Sequence, residues 1–287
     1  MNLNSQKIVA FVDGSIYSES VCHHAAWIAQ RTESAVELIH VLGRREAPDT
    51  SDRSGAIRLG ARSALMDELA TLDAQRAKLV SHRGRAILED ARKILDQDGV
   101  NDISTRLRQG DIIEAVSEVE GDARIIIVGK RGEAADFAKG HLGSNLERIV
   151  RAAQKPVFVA SRALQPIEKV LVAYDGGASA MKSIDHITRS TLFEGLKIHV
   201  VTVGTETAEI KKGLADAKAM LKAAGHDAET SVVPGQPEKA LADLIESDGY
   251  DLLVMGAYGH SRIRTLVIGS TTTAMIRACK VPIILMR

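Results

Sequence analysis

The stretch VMGAYGHSRIRTLVIGSTTTAMI, Val254 to Ile276, spaces Gly256, Gly259 and Gly269 as G-x2-G-x9-G, with Ser270 immediately after. The first two glycines let backbone pass close to a bulky ligand or adopt positive φ. The third, followed by Ser270, Thr271 and Thr272, opens a helical stretch where free N–H groups, hydroxyls and the helix dipole favour an anion. Arg262 and Arg264 between them offer countercharge. No lysine stands where the Walker-type loop needs one, which points to holding a phosphate rather than transferring it quickly. Taken singly, each feature is also ordinary turn and N-cap chemistry. Their meaning depends on the elements that position them.

Those elements come from a repeat. KIVAFVDGS, from Lys7, matches KVLVAYDGG, from Lys169, and the same offset carries Val41 of VELIHV onto Val203 of KIHVVTV. Further on, Gly129, Gly143, Ser144 and Pro156 match Gly256, Gly269, Ser270 and Pro282 at a shorter offset. The chain is therefore two copies of one unit, expected over 1–162 and 167–287 with ALQPIE (Ala163 to Glu168) as a short linker. Strand-length apolar runs alternate with longer amphipathic stretches, which predicts an α/β fold of two tandem, doubly wound, five-stranded parallel sheets. Strands are expected near 7–12, 35–41, 103–108, 124–128 and 156–160, then 168–173, 197–203, 229–233, 251–255 and 282–286. Helices of the second copy are expected near 178–190, 207–224, 237–246 and 270–279.

The change of offset marks an insertion in the first copy, about 44–82, of roughly 37 residues. Beyond the polar REAPDTSDRSG, Ala61 to Gln97 reads as one long helix. Leu65, Leu69, Leu72 and Leu79 stand at seam-like spacing, as do Val80, Ile87 and Ile94. Two readings stay open, a surface helix packing on its own domain and an arm that pairs with a second subunit.

In an open parallel sheet, ligands lie beyond the carboxyl ends of the strands, where strand order reverses. Asp175 there is suited to accept hydrogen bonds from a ribose or base, and Val203 to lie against an adenine face. With the glycine loop these residues resemble the universal stress protein family in a tandem two-domain form. The second copy matches that family's pattern G-x2-G-x9-G-(S/T) in full. The resemblance implies a Rossmann-like, adenine nucleotide alpha hydrolase-like fold and ATP, possibly with magnesium. It also implies a ligand set of Asp175, Val203, Gly256, Gly259, Arg262, Gly269, Ser270 and Thr271. It further suggests that the two domains meet through their last strands, KPVFVAS and VPIILMR.

The first copy departs from the pattern. Asp13, Val41, Gly129, Gly132, Gly143 and Ser144 form the matching set, but its loop is one residue longer and carries Glu133 and Asp136. Lys130, Arg131 and Lys139 offset that charge only in part. The first half is therefore expected mainly to support the second.

Lys plus Arg and Asp plus Glu both number 37, and aromatic residues make up only 3%. That balance argues against general affinity for nucleic acid or an anionic membrane. No run reaches the roughly 18 apolar residues of a membrane span. Cys22 and Cys279 are far apart, and the N-terminus lacks signal-peptide character, so a cytoplasmic protein is expected. Neither catalytic residues nor a metal site are expected. Cys22, His23 and His24 are consecutive, and adjacent helical residues point in different directions. The function expected is an ATP-binding regulator or sensor in stress response, with a homodimer and unidentified regulatory proteins as partners. A slow ATP-hydrolysing or adenylating enzyme and a ligand-free interaction scaffold are the alternatives.

Overall fold

Runs such as Ile125-Ile126-Ile127 survive in a globular chain only where both faces of the strand are covered, and that is where they lie. The structure is a computed structural model that describes residues 6–43, 61–130, 144–257 and 270–287. The first half supplies β1 (Lys7–Phe11), β2 (Val36–Leu42), β3 (Ile103–Gln109), β4 (Ala123–Gly129) and β5 (Val157–Ala160). The second supplies β6 (Lys169–Ala173), β7 (Lys197–Val203), β8 (Ala228–Val233), β9 (Leu252–Gly256) and β10 (Ile283–Met286). Helices α1 (Ser18–Thr32), α2 (Ala61–Gln97), α3 (Ile112–Val119) and α4 (Ser144–Ala152) alternate with the first strands. Their counterparts are α5 (Ala178–Arg189), α6 (Ala208–Ala223), α7 (Pro237–Asp248) and α8 (Ser270–Ala278). Strands and helices fall within a residue or two of their expected places.

The two five-stranded sheets are joined into one of ten strands, ordered β3-β2-β1-β4-β5-β10-β9-β6-β7-β8. Every neighbouring pair is parallel except β5 with β10, where Phe158 faces Ile284 in antiparallel register. An antiparallel seam is what a pseudo-twofold between two like units requires, since each contributes the same edge. The seam expected between the final strands is present. At the outer edges β3 and β8 are partly exposed and carry charge, Arg106 and Arg108 on one and Glu229 on the other, which discourages further strand pairing.

Side chains alternate into two cores. One face of the sheet packs against α1, α2, α5 and α6, the other against α3, α4, α7 and α8. Both cores run continuously through the two halves. Polar contacts reinforce the seam: Arg31 Nε donates to the Leu192 carbonyl at 2.7 Å and Thr191 Oγ1 to the Arg31 carbonyl at 2.8 Å. Arg287 Nη1 reaches the last carbonyls of α4, including Ala152 at 3.2 Å, where a cation meets the negative end of the helix dipole.

The long helix packs on its own domain over part of its length. From Gly84 onward α2 is an ordinary body helix: Leu88, Ala91 and Leu95 are buried, and Ile87 and Ile94 pack on the same core. Before Gly84 it is largely exposed. Among the described residues no helix is long and apolar enough to cross a membrane.

Candidate functional site

The second half builds its strand ends from backbone constraints. Past the end of β6, the Tyr174 amide donates to the Val201 carbonyl at 2.8 Å, and the Tyr174 carbonyl accepts from Thr202 Oγ1 at 2.8 Å. The chain is thus held beside β7 until Asp175. Gly176 then turns it with φ +74°, a value glycine adopts without a steric penalty. The Gly177 amide closes the turn on Asp175 Oδ1 at 2.8 Å, and α5 begins. Asp175 is exposed, and Oδ2 takes no donor among the described residues. A Cβ added to Gly176 would meet nothing within 4 Å, so the turn is open.

Val203, half-buried, ends β7, and Gly204 leaves it with φ +146°, its amide donating to the Val233 carbonyl at 2.9 Å. On the other side of β6, β9 ends at Gly256, paired with Met286 of β10. Thr272 in the first turn of α8 is buried, and its hydroxyl donates to the carbonyls of Ala257 at 3.2 Å and Gly256 at 3.4 Å. The sequence suggests Thr272 as a donor to an anion. The structure turns that hydroxyl back to clamp α8 onto β9. Thr271, half-buried, is its neighbour.

Asp175, Val203, Gly256 and Thr271 therefore stand at one end of the sheet, around the crevice between β6 and β9 where strand order reverses. Gly259, Arg262 and Gly269, and the side chain of Ser270, lie outside the described residues. Gly256 itself does not have the role its spacing suggests. Its φ is not positive, and a Cβ there would come within 2.8 Å of Ser179 Cβ in the first turn of α5. The missing side chain admits the protein's own helix, the one that follows the Asp175 turn. We expect Gly256→Ala to destabilise the protein by about 1–3 kcal/mol, as overpacked sites do, and Ser179→Gly to restore part of the loss in urea unfolding.

The first half keeps the frame and closes the turn. Val12 donates its amide to the Ile39 carbonyl at 3.0 Å, and its own carbonyl meets His40 Nδ1 at 2.7 Å, the place Thr202 takes in the second half. Asp13 Oδ1 is already occupied, accepting from the Ser15 amide at 3.0 Å and Ser18 Oγ at 3.1 Å, and Ser18 Oγ accepts the Gly14 amide at 3.0 Å. Above Gly14, with φ +77°, Ile87 Cδ1 of α2 stands 2.8 Å from where a Cβ would be. In α6, Gly213 instead faces the Tyr174 ring, whose hydroxyl stands 3.2 Å from where a Cβ would be. Gly129 ends β4 as Gly256 ends β9, and Val41 stands one residue before the end of β2. Gly132 and Gly143, and the Ser144 side chain, lie outside the described residues, as do Arg131, Glu133, Asp136 and Lys139. Lys130, expected to balance that charge, donates across the seam to the Cys279 carbonyl at 2.7 Å.

Two contributors escape a reading by motif, Thr202 and His40, which pin the strand-one ends; Thr272 is marked by the motif but clamps the last helix instead. The repeat offset that pairs Val41 with Val203 also pairs His40 with Thr202, and that was the available signal. Elsewhere, Cys22, His23 and His24 diverge: burial pushes the Cys22 thiol up to about 12, His23 Nδ1 meets Asp98 Oδ2 at 2.6 Å, and His24 enters the core.

The universal stress protein family model matches residues 4–161 and again 204–287. Universal stress protein Slr1230 of Synechocystis sp. is 36% identical over 286 residues, covering 98% of this chain and 100% of that protein. Among solved structures, a universal stress protein from Archaeoglobus fulgidus superposes with a TM-score of 0.75 at 19% identity, covering 99% of this chain and 98% of the other. A putative universal stress protein from Pseudomonas aeruginosa gives 0.63 at 15%, covering 99% and 94%. The second family match starts after β6 and α5, so Asp175 takes its place from the fold, in which β6 pairs β7 and β9 as β1 pairs β2 and β4.

Proposed function

Since the chain belongs to the universal stress protein family, we propose that it is an ATP-binding regulator of stress response whose nucleotide sits in the second half. The observation that carries this reading is the contrast between the two strand-one turns. Asp175 presents an exposed carboxylate beside an open turn at Gly176, whereas Asp13 is engaged by Ser15 and Ser18 and its turn is roofed by Ile87.

In this reading Asp175 Oδ2 accepts from a ribose or adenine donor, and Val203 lies along the base with backbone groups at its edge. The phosphates reach Gly259, Gly269, Ser270 and Thr271 at the start of α8, where N–H groups and the helix dipole favour negative charge, with Arg262 as countercharge. ATP, with magnesium when present, supplies the charge to be held. The glycine loop carries no lysine of the Walker type, so the reading is of binding rather than fast turnover. A regulator of this kind acts in the cytoplasm through protein partners that read the loaded state.

The test is to denature freshly purified protein and identify any released small molecule by mass spectrometry, then to titrate ATP into emptied protein. Adenine nucleotide released or taken up supports the reading. No release together with no calorimetric response overturns it in favour of a ligand-free scaffold. Magnesium-dependent turnover that falls with Asp175→Ala would favour the enzymatic alternative.

A further inference from the structure

The two helices that follow the third glycine of each half, α4 and α8, are charged differently. The first turn of α4 carries Glu147, a carboxylate at the positive end of the helix dipole. The first turn of α8 holds Ser270, Thr271, Thr272 and Thr273 and no acidic residue. Its last turn carries Arg277. The positive pole of α8 is thus left open to an anion, and that of α4 is met from within.

The far end of α8 meets the other half. The helix runs back along the sheet, from the carboxyl end of β9, beside Asp175, to the amino end of β10. Because β5 and β10 are antiparallel, that is the end at which β4 of the first half leaves the sheet. Lys130, directly after Gly129, stands there half-buried, and its ammonium donates to the Cys279 carbonyl at 2.7 Å. Cys279 continues the helical pattern, its amide donating to the Met275 carbonyl at 2.8 Å. Its own carbonyl is among those at the negative pole that no later amide of the helix meets. Lys280, next in sequence, is engaged by Glu246 at 2.6 Å. The lysine that opens the glycine loop of the first half therefore serves the phosphate helix of the second.

We propose that Lys130 is a positioning residue of the second-half nucleotide site, acting across the seam through α8. It ties down the carboxyl end of that helix and neutralises its negative pole. Thr272 holds the other end to the Gly256 and Ala257 carbonyls, so the helix is pinned at both ends with its first turn turned to the ligand. Its nine residues set the lysine about 13 Å from the phosphates, too far for contact. The proposal rests on the reading of the second half as the ATP site.

Two measurements on the full chain test it. In calorimetric titration, Lys130→Met is expected to weaken ATP binding about three- to tenfold, and Lys130→Arg to keep the wild-type affinity. In hydrogen exchange without nucleotide, amides of the last turn of α8 are expected to exchange about three- to tenfold faster in Lys130→Met and at the wild-type rate in Lys130→Arg. Unchanged ATP affinity in Lys130→Met, no recovery with arginine, or unchanged exchange would each overturn the proposal. A wild type that takes up no ATP counts against the nucleotide reading instead, and the exchange rates then decide alone whether Lys130 holds the helix.

Discussion

Asp175→Ala is expected to weaken ATP binding by about 10- to 100-fold, while Asp13→Ala changes it by less than about twofold. The magnitude follows from losing a hydrogen bond to a charged acceptor, worth about 1.5–3 kcal/mol. The asymmetry follows from geometry. Asp175 gives one oxygen to the Gly177 amide and keeps the other for a ligand. Asp13 gives its Oδ1 to the Ser15 amide and to Ser18, whose hydroxyl also accepts the amides of Asp13 and Gly14. Asp13→Ala is accordingly expected to appear in stability, at about 1 kcal/mol, because it removes the closing partner of that turn. Equal loss of binding in both variants would remove the distinction between the halves.

Acid is expected to unfold the protein earlier than its carboxylates alone would dictate, through His24. This imidazole is fully buried on the seam, tilted against Phe158 with ring centroids 5.1 Å apart. Its Nδ1 lies 2.7 Å from the Ser20 carbonyl, which makes it the N–H donor, and Nε2 is buried without a partner. Protonation would create a second N–H with nothing to accept it. Burial accordingly pushes the pKa down to about 4 from an ordinary 6.5, against the pull of the Ser20 carbonyl. The unfolded chain binds the proton first, so the stability is fully present above pH 6.5 and is lost as pH falls toward 4. The loss is about 2 kcal/mol by pH 5 and about 3 kcal/mol by pH 4. His186, at the matching place on α5 and edge-on to Phe193, is pushed to about 4 as well, by burial first and the Arg124 charge second. Urea midpoints measured from pH 7.5 to 4.5 check this: His24→Leu is expected to flatten the curve relative to wild type. An unchanged slope would show that the imidazole is charged in the folded state.

The elements were legible because covered parallel strands leave a strong mark. RIIIVG and KVLVA have no other place in a folded chain than inside a sheet. The repeat then supplied the topology, and the family resemblance supplied the contact between the last strands, which composition alone does not encode; its antiparallel register comes from the structure. Contacts between segments far apart in sequence were not legible. Nothing local says that Ile87 roofs Gly14, that Gly256 is small for the sake of Ser179, or that Thr272 turns its hydroxyl inward. The long helix shows the limit well. Its heptads are compatible with packing inward or outward, and the division at Gly84 depends on where β2 and β3 end. The residues the spacing marks for phosphate, Gly259, Arg262 and Gly269, keep the standing the motif gives them.

The most direct test of the central claim is calorimetric titration of ATP and magnesium into the full chain, its Asp175→Ala variant and its Asp13→Ala variant. The account predicts a single site per chain, strongly weakened by Asp175→Ala and kept by Asp13→Ala. Two equal sites per chain, or a single site lost with Asp13→Ala instead, would contradict it.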